Sequence, residues 1–159
     1  MRKTALVKLT GDLAELRPDV LAWLRPLAQE YFIVICTGGG ARINQRFKEE
    51  NIPYIFGKLG REIGSFKGRQ IARDELESNQ ALIQDQLALE KISATVIIPV
   101  LDIGSVLCHV NGDTFIQTAY LGYDKLFVLT LESRKTVKLE QFAGFNKVEV
   151  VGFPDVYPL

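Results

Sequence analysis

A short apolar run, a glycine triplet and a polar helical segment follow one another without interruption in the first third of the chain. Residues 32–37 (FIVICT) are rich in β-branched side chains, which predicts a buried strand. Gly38, Gly39 and Gly40 come directly after it, and a helix is expected to run through about Glu50. A strand that passes through a tight turn into a helix is the repeating unit of α/β proteins, so this segment predicts an α/β fold.

The same alternation of strands and helices continues along the chain. Further strands are predicted at residues 4–9, 53–56, 94–100, 106–110, 125–130 and 148–151. Helices are predicted at residues 18–30, with a kink or break at Pro26, at 69–91, from about 111 to 121, and near 139–142. Residues 57–68 hold four glycines and three basic residues, which is typical of a mobile or ligand-ordered loop. The pattern predicts a mainly parallel three-layer α/β/α sandwich, with residues 1–159 forming a single domain.

The composition restricts the classes of function. The 159 residues are 47% hydrophobic and 24% charged, a balance typical of globular proteins that excludes intrinsic disorder. Nineteen basic residues balance nineteen acidic ones, which argues against non-specific binding of nucleic acid or anionic membrane, and no apolar run is long enough to span a bilayer. Cys36 and Cys108 lie in apolar runs and are interpreted as reduced core residues of a cytoplasmic protein. The single histidine excludes multi-histidine metal sites, and no metal ligands are predicted.

Three polar or glycine-rich segments fall at the carboxyl ends of predicted strands. They are Lys8 to Gly11, Thr37 to Gly40 and His109 to Asp113. Ligands of parallel sheets bind beyond the carboxyl ends of the strands, so the sequence predicts that these segments converge on one site.

Each candidate residue has a functional and a structural interpretation. The glycine triplet offers backbone N–H groups to an anion such as phosphate or carboxylate, or it forms a tight turn without a ligand. Lys8 places a positive charge on a transferring phosphoryl group, or its ammonium reaches solvent. Asp113 orients lysines or binds a metal through water, or it caps a helix, as Asn111 also would. Arg61 clamps a carboxylate, or it belongs to a solvated loop.

The order of these motifs resembles that of a known family. A K-x-G-G-like turn is matched by residues 7–11, a glycine triplet after a strand by residues 36–44, and an N-x-D-T element followed by a buried strand by residues 109–114 and 125–130. In this order and spacing the motifs resemble the amino acid kinase superfamily, which includes acetylglutamate kinase and uridylate kinase. The resemblance covers roughly residues 4–130.

The resemblance implies roles for particular residues. It implies that Lys8 and Asp113 are catalytic, that Gly11 and the triplet Gly38, Gly39 and Gly40 contact the phosphates of ATP–Mg, and that substrate binds to Gly39, Gly40, Arg61 and Asn111. It also implies that the long helix takes part in a homodimer or a higher homo-oligomer. Thr10 stands where the family has a glycine. About thirty residues follow Thr130, fewer than the family's nucleotide-binding portion needs, and Lys147 is the only lysine there considered for a second catalytic role.

Three functional hypotheses follow. The first is transfer of a phosphoryl group from ATP to a small carboxylate, carbamate or phosphate, which the combination of Lys8, the glycine triplet and Asp113 favours. The second is a non-catalytic small-anion-binding or regulatory, oligomeric member of the same fold, which the short region after Thr130 favours. The third is an unrelated doubly wound domain whose glycine turn binds a nucleotide or nothing. The second predicts that ATP–Mg binds weakly or not at all; the sequence does not identify the substrate.

Overall fold

A computed structural model describes residues 2–13, 16–57, 60–103, 106–109 and 112–157. The strands in these ranges are β1 (Lys3–Leu9), β2 (Tyr31–Cys36), β3 (Ile55–Gly57), β4 (Gly60–Glu62), β5 (Ala94–Ile97), β6 (Val100–Ile103), β7 (Val106–His109), β8 (Lys125–Leu131) and β9 (Val148–Phe153). The helices are α1 (Pro18–Glu30), α2 (Gly40–Glu49), α3 (Phe66–Leu89), α4 (Gly112–Thr118) and α5 (Glu132–Gln141), with short 3₁₀ helices at Gly11–Leu13 and Tyr120–Gly122.

Five strands form one parallel sheet in the order β5-β2-β1-β8-β9. All four strand pairs are parallel, and β1 lies at the centre. The residues from Ala5 to Val7 are fully buried, as expected for a strand that is covered on both faces. The prediction of a mainly parallel α/β fold is confirmed.

Helices cover both faces of this sheet. On one face α1 and α3 pack against alternate residues of the strands, among them Val7, Leu9 and Leu129. On the other face α4 and Phe142, which follows α5, pack against Leu6 and Val128. We call these the α1/α3 face and the α4/α5 face. Because side chains alternate along a strand, Lys8 and Thr10 belong to the α4/α5 face with Leu6.

Two predictions in the first half of the chain need correction. Helix α1 continues through Pro26, so the alternative of a break is wrong; this proline lies on the exposed side of the helix, where water can solvate the carbonyl that lacks a donor. Residues 57–68, predicted as a mobile or ligand-ordered loop, instead include strand β4, which pairs with β3, and the start of α3. Ser65 caps that helix by accepting a hydrogen bond from the Gly68 N–H, at 3.0 Å.

Two elements in the second half of the chain have boundaries that differ from the predicted ones. The predicted strand at 94–100 divides at Pro99 into β5 and β6, and β6 pairs with β7 in an antiparallel hairpin. Helix α5 begins directly after β8 and is longer than predicted, because it has no buried residue and hence no apolar periodicity. No helix in the described ranges has the length and apolar character needed to cross a bilayer.

Candidate functional site

The order of strands reverses direction beside β1. From β1 the chain adds β2 and then β5 on one side, and later adds β8 and β9 on the other. Ligands of open parallel sheets bind outside the carboxyl ends of the strands at such a switch point. Here the switch point lies between β1 and β8, so the residues just beyond Leu9 and around Thr130 occupy the position where a ligand is expected.

The glycine triplet forms the turn between β2 and α2. Gly39 is the N-cap of α2 and offers no side chain to the first-turn N–H groups. Asn79 of α3 is 2% exposed and holds the turn from the opposite side. Its Nδ2 donates to Thr37 Oγ1 at 2.8 Å and to the Gly38 carbonyl at 2.9 Å. Asn79 therefore holds the turn through the Thr37 hydroxyl and the Gly38 carbonyl.

The fold itself requires a glycine at only one position of the triplet. A methyl group on Gly39 would meet Ile43 Cδ1 at 3.2 Å and Leu76 Cδ2 at 3.3 Å, a tight contact. A methyl group on Gly38 would come no closer than 4.0 Å to the Leu9 carbonyl, and one on Gly40 would meet nothing within 4 Å. Neither residue has a positive φ. Steric and backbone requirements of the chain therefore leave these two glycines unexplained.

Gly11 borders the same turn. An added Cβ on Gly11 would lie 3.9 Å from the Gly40 nitrogen, so the ends of β1 and β2 meet here as predicted. A depression of about 180 Å³ opens at this point and is lined by Gly11, Asp12, Gly38, Gly39, Ala41, Arg42 and Asn79. The first and second of the three polar segments therefore lie side by side, as the sequence predicted.

The third segment contributes a buried ionic cluster. Lys8 Nζ donates to Oδ1 of Asp113, and Lys138 Nζ from α5 donates to Oδ2 of the same carboxylate at 2.6 Å. The side chains of Lys8 and Asp113 are each 9% exposed, and that of Lys138 is 17% exposed. We call these three residues the lysine–aspartate cluster. No described contact joins it to the glycine turn, although both lie at the same edge of the sheet.

Burial and charge set the pKa values within the cluster. Burial lowers the pKa of the Lys8 ammonium, although the nearby Asp113 opposes that shift. Burial by itself would raise the pKa of Asp113, but the charges and hydrogen bonds of Lys8 and Lys138 outweigh it and hold that pKa below its usual value. Cys36 lies opposite Lys8 in the β1–β2 register, and burial raises the pKa of its thiol to about 12. The thiol is therefore neutral at pH 7, and two lysines share one carboxylate.

The stem of Lys8 passes close to the start of α4. A Cβ added to Gly112 would lie 2.9 Å from Lys8 Cε, so a glycine at this position lets the lysine reach Asp113. Asn111, which was predicted to bind substrate, lies outside the described residues, and so does the side chain of Cys108.

Arg61 lies on β4 rather than in a loop. Its Nη2 donates to Asn44 Oδ1 at 2.6 Å and to the Gly40 carbonyl at 3.3 Å. Its guanidinium stacks among the rings of Phe47, Tyr54 and Phe56. These contacts connect Arg61 to the first turn of α2, beside the glycine turn.

Two residues of the site were not identified from the sequence. Asn79 interrupts the apolar stripe formed by Ala72, Leu76, Ile83 and Leu87 on α3, and a polar residue in such a stripe is a usable signal. Lys138 lies one turn before the buried Phe142 and so faces the core, whereas Lys147, the late lysine considered from the sequence, donates to the Tyr123 carbonyl. The described residues contain no group of three His, Cys, Asp or Glu side chains suited to a metal ion.

Residues after β9 cover the neighbouring part of the edge. Asp155 accepts hydrogen bonds from the N–H and the hydroxyl of Ser133, in the first turn of α5. Arg17 donates to the Pro154 carbonyl at 2.9 Å and lies over the ring of Tyr157. The amino end of α5 is thus capped by a carboxylate of the chain itself, while the amino end of α2 is not capped by the glycine that precedes it.

No protein-family model and no curated protein matches the chain. Among solved structures it is similar to smu.665 from Streptococcus mutans UA159, with a TM-score of 0.60 and 15% identity over 82% of this chain and 73% of that one. It is also similar to N-acetylglutamate synthase from Neisseria gonorrhoeae complexed with coenzyme A and N-acetyl-glutamate, with a TM-score of 0.53 and 12% identity over 96% of this chain and 55% of that one.

A second structure of that synthase, complexed with coenzyme A and L-arginine, gives a TM-score of 0.50 and 12% identity over 83% of this chain and 44% of that one. The chain therefore spans about half the length of the synthase. At these identities the similarity concerns the fold alone. The chain has an α/β fold that is similar to part of N-acetylglutamate synthase.

Proposed function

We propose that this chain binds a small molecule carrying a phosphate or carboxylate group at the turn formed by Gly38, Gly39 and Gly40. The observation that carries the proposal is the pair of glycines whose Cβ atoms would meet no close contact within the chain. Missing side chains that the fold does not require leave backbone N–H groups open to a ligand. The positive end of the α2 dipole adds to the attraction for an anion.

The size of the depression favours a small ligand. Sites that hold drug-sized molecules enclose about 300–1,000 Å³, whereas the depression beside the glycine turn measures about 180 Å³. It suits an inorganic anion or a short carboxylic acid better than a complete nucleotide. The donors at the turn fit the phosphate end of ATP, but the depression does not fit its nucleoside, so we derive no reaction step through ATP.

The fold supports the same class of ligand. The motifs of the sequence resemble those of amino acid kinases, and the synthase that has a similar fold binds N-acetyl-glutamate and L-arginine. Both molecules carry carboxylate groups. Short carboxylic acids therefore belong with phosphate among the first ligands to examine.

A single methyl group on the turn tests the proposal. Gly40→Ala adds a Cβ that meets nothing in the chain, in a helical position where alanine stabilises by about 0.4–1 kcal/mol. We expect an unchanged or higher Tm and at least a tenfold loss of affinity for inorganic phosphate or N-acetyl-glutamate, measured by isothermal titration calorimetry. Gly122→Ala, which also adds a methyl group in open space, is the matched control. Equal affinities in Gly40→Ala and the parent protein would contradict the proposal.

Phosphoryl transfer is the second candidate function, and the lysine–aspartate cluster favours it. Lys8 and Lys138 place two ammonium groups at one carboxylate, an arrangement that stabilises negative charge developing on a phosphoryl group. Thermal unfolding with phosphate and with ATP–Mg as added ligands distinguishes the two functions. We expect a thermal upshift with phosphate and none with millimolar ATP–Mg; an upshift with ATP–Mg and formation of ADP would favour transfer instead.

A further inference from the structure

The two outer edges of the sheet end in different ways. Strand β5 forms one edge and β9 forms the other. On β5 the backbone groups that point away from β2 are occupied by glutamine side chains of α3. Gln84 donates to the Ala94 carbonyl at 3.1 Å and accepts from the Val96 N–H at 2.9 Å. Gln80 donates to the Val96 carbonyl at 2.6 Å, so this edge is closed to a further strand.

The edge formed by β9 carries free backbone groups. The Leu126 N–H of β8 donates to the Lys147 carbonyl at 3.0 Å, and the β8–β9 register continues to Phe153. Because backbone groups alternate in direction along a strand, the odd-numbered residues of β9 bond to β8 and the even-numbered ones point away from the sheet. Among the described residues, the carbonyl of residue 148 and both backbone groups of Val150 and Gly152 have no hydrogen-bond partner.

An antiparallel copy of β9 fits these free groups. A register centred on Val150 sets it opposite the partner's Val150, in a pair that exchanges two hydrogen bonds. The same register sets Gly152 opposite the partner's Val148, whose free carbonyl can accept from the Gly152 N–H. The Val148 N–H is already used, since it donates to the Phe145 carbonyl at 2.8 Å. The edge is therefore complementary to itself about a two-fold axis, as a symmetric interface requires.

The side chains on the α1/α3 face favour the same register. Glu149 and Val151 lie on either side of Val150 and point to this face with Phe153. The register sets Glu149 opposite the partner's Val151, with Cβ atoms about 4.5–5.5 Å apart. Like charges therefore do not face each other directly in this part of the strand, and Glu149 is already paired with Lys125 of β8 at 3.0 Å.

Helix α5 adds exposed apolar surface beside the edge. A Cβ on Gly152 would meet the side chains of Glu132 and Lys135, so this side of α5 lies over the edge strand. Leu139 follows Lys135 by four residues, which puts it on the same side of the helix, and it is 51% exposed. Directly opposite residues of an antiparallel pair share a face, so the α5 helices of two paired copies would lie on one face of a continuous sheet.

We propose that two copies of this chain pair through antiparallel β9 strands and join their sheets across a two-fold axis. Two hydrogen bonds at Val150 and one at each Gly152 connect the strands, and Leu139 of each copy loses exposed area. Such an interface is small, so the dimer is weak and depends on protein concentration. It is separate from the glycine turn and from α3, the helix that the family resemblance implies for oligomers.

Sedimentation velocity of the full chain, from micromolar to millimolar concentration, tests the proposal with two variants of one residue. We expect the parent protein to reach twice the mass of the monomer. Val151→Glu sets a carboxylate opposite the partner's Glu149 and should raise the dissociation constant of the dimer at least tenfold. Val151→Lys is the matched control, because it loses the same apolar side chain but meets Glu149 with the opposite charge. It should dimerise at least as tightly as the parent protein, and equal dissociation constants in the two variants would overturn the proposal.

Amide hydrogen exchange locates the contact without any variant. The N–H groups of Val150 and Gly152 should exchange at least tenfold more slowly at millimolar than at micromolar concentration. Those of Glu149 and Val151 bond to β8 in every copy and should keep their rates. A protein that stays monomeric, or a dimer that leaves exchange at Val150 and Gly152 unchanged, would overturn the proposal. So would a dimer that persists in Val151→Glu but is lost in Leu82→Lys, on the exposed side of α3.

Discussion

The two faces of the sheet reach the carboxyl edge with different chemistry. On the α1/α3 face the last layer consists of Leu9 and Leu129, both fully buried. At the same carboxyl ends of β1 and β8, the α4/α5 face carries Lys8, Thr10 and Thr130, which are buried almost as deeply. Burying such groups costs free energy unless they are paired, and helices cover both faces alike. At this edge the α4/α5 face therefore carries a desolvation cost that the α1/α3 face does not carry.

Among the changes that test this difference between the faces, removal of Asp113 should cause the largest loss of folding free energy. Asp113→Ala leaves Lys8 and Lys138 without the carboxylate they share, and breaking a buried pair costs about 3–5 kcal/mol. Urea unfolding measures the loss of free energy. We expect added phosphate to restore more stability to this variant than to the parent protein, because the anion takes the place of the carboxylate.

Leu129→Ala is the corresponding change on the apolar face. It should cost about 2–5 kcal/mol through the lost contacts and the cavity. Phosphate should not restore that loss beyond its effect on the parent protein. The same recovery by phosphate in both variants would show that the two faces do not differ as we describe.

Crowding of Lys8 should produce an intermediate effect. Gly112→Ala places a Cβ 2.9 Å from Lys8 Cε, and overpacking of this kind typically costs about 1–3 kcal/mol. We expect the lower end of that range, since a lysine stem moves more easily than backbone, together with weaker phosphate binding as the ammonium leaves Asp113. Thermal unfolding and calorimetry measure the two effects. A Tm and an affinity equal to those of Gly122→Ala would mean that the Lys8 side chain accommodates the added methyl group without strain.

The pH dependence of stability should show the smallest effect. Burial lowers the pKa of Lys8 below its ordinary value of about 10.4. Between the lowered pKa and about 10.4 the unfolded chain binds more protons than the folded one, so this residue makes the stability rise with pH in that window. Asp113 acts at the acid end: its contribution is present above about pH 3.9 and is lost as the pH falls through its lowered pKa.

Denaturant unfolding between pH 7 and pH 11 measures the alkaline part of this dependence. Lys8→Met should remove the rise and leave the contributions of the other titrating groups. Phosphate affinity of the parent protein should decline over the same window, because Lys8 loses its charge. An unchanged pH profile in Lys8→Met would contradict the assignment of this rise in stability to Lys8.

Local sequence signals were sufficient to predict the alternation of strands and helices and the polar ends of the strands. Apolar β-branched runs identified β1, β2 and β8, and the glycine triplet identified the turn that opens α2. Lys8 and Asp113 were both predicted as site residues, and the structure joins them in one ion pair. Their catalytic role, like the binding of ATP–Mg, stays a prediction.

Only the tertiary structure revealed which residues complete the site. The polar Asn79 stands out in the apolar stripe of α3, but its contact with the glycine turn, like that of Lys138 with Asp113, depends on long-range packing. The ends of β1 and β8 lie together because the chain adds strands first on one side of β1 and then on the other. The sequence by itself determined the elements and their polar ends, since these depend on neighbouring residues. The switch point and the lysine–aspartate cluster beside it depend on long-range packing, which a local pattern does not encode.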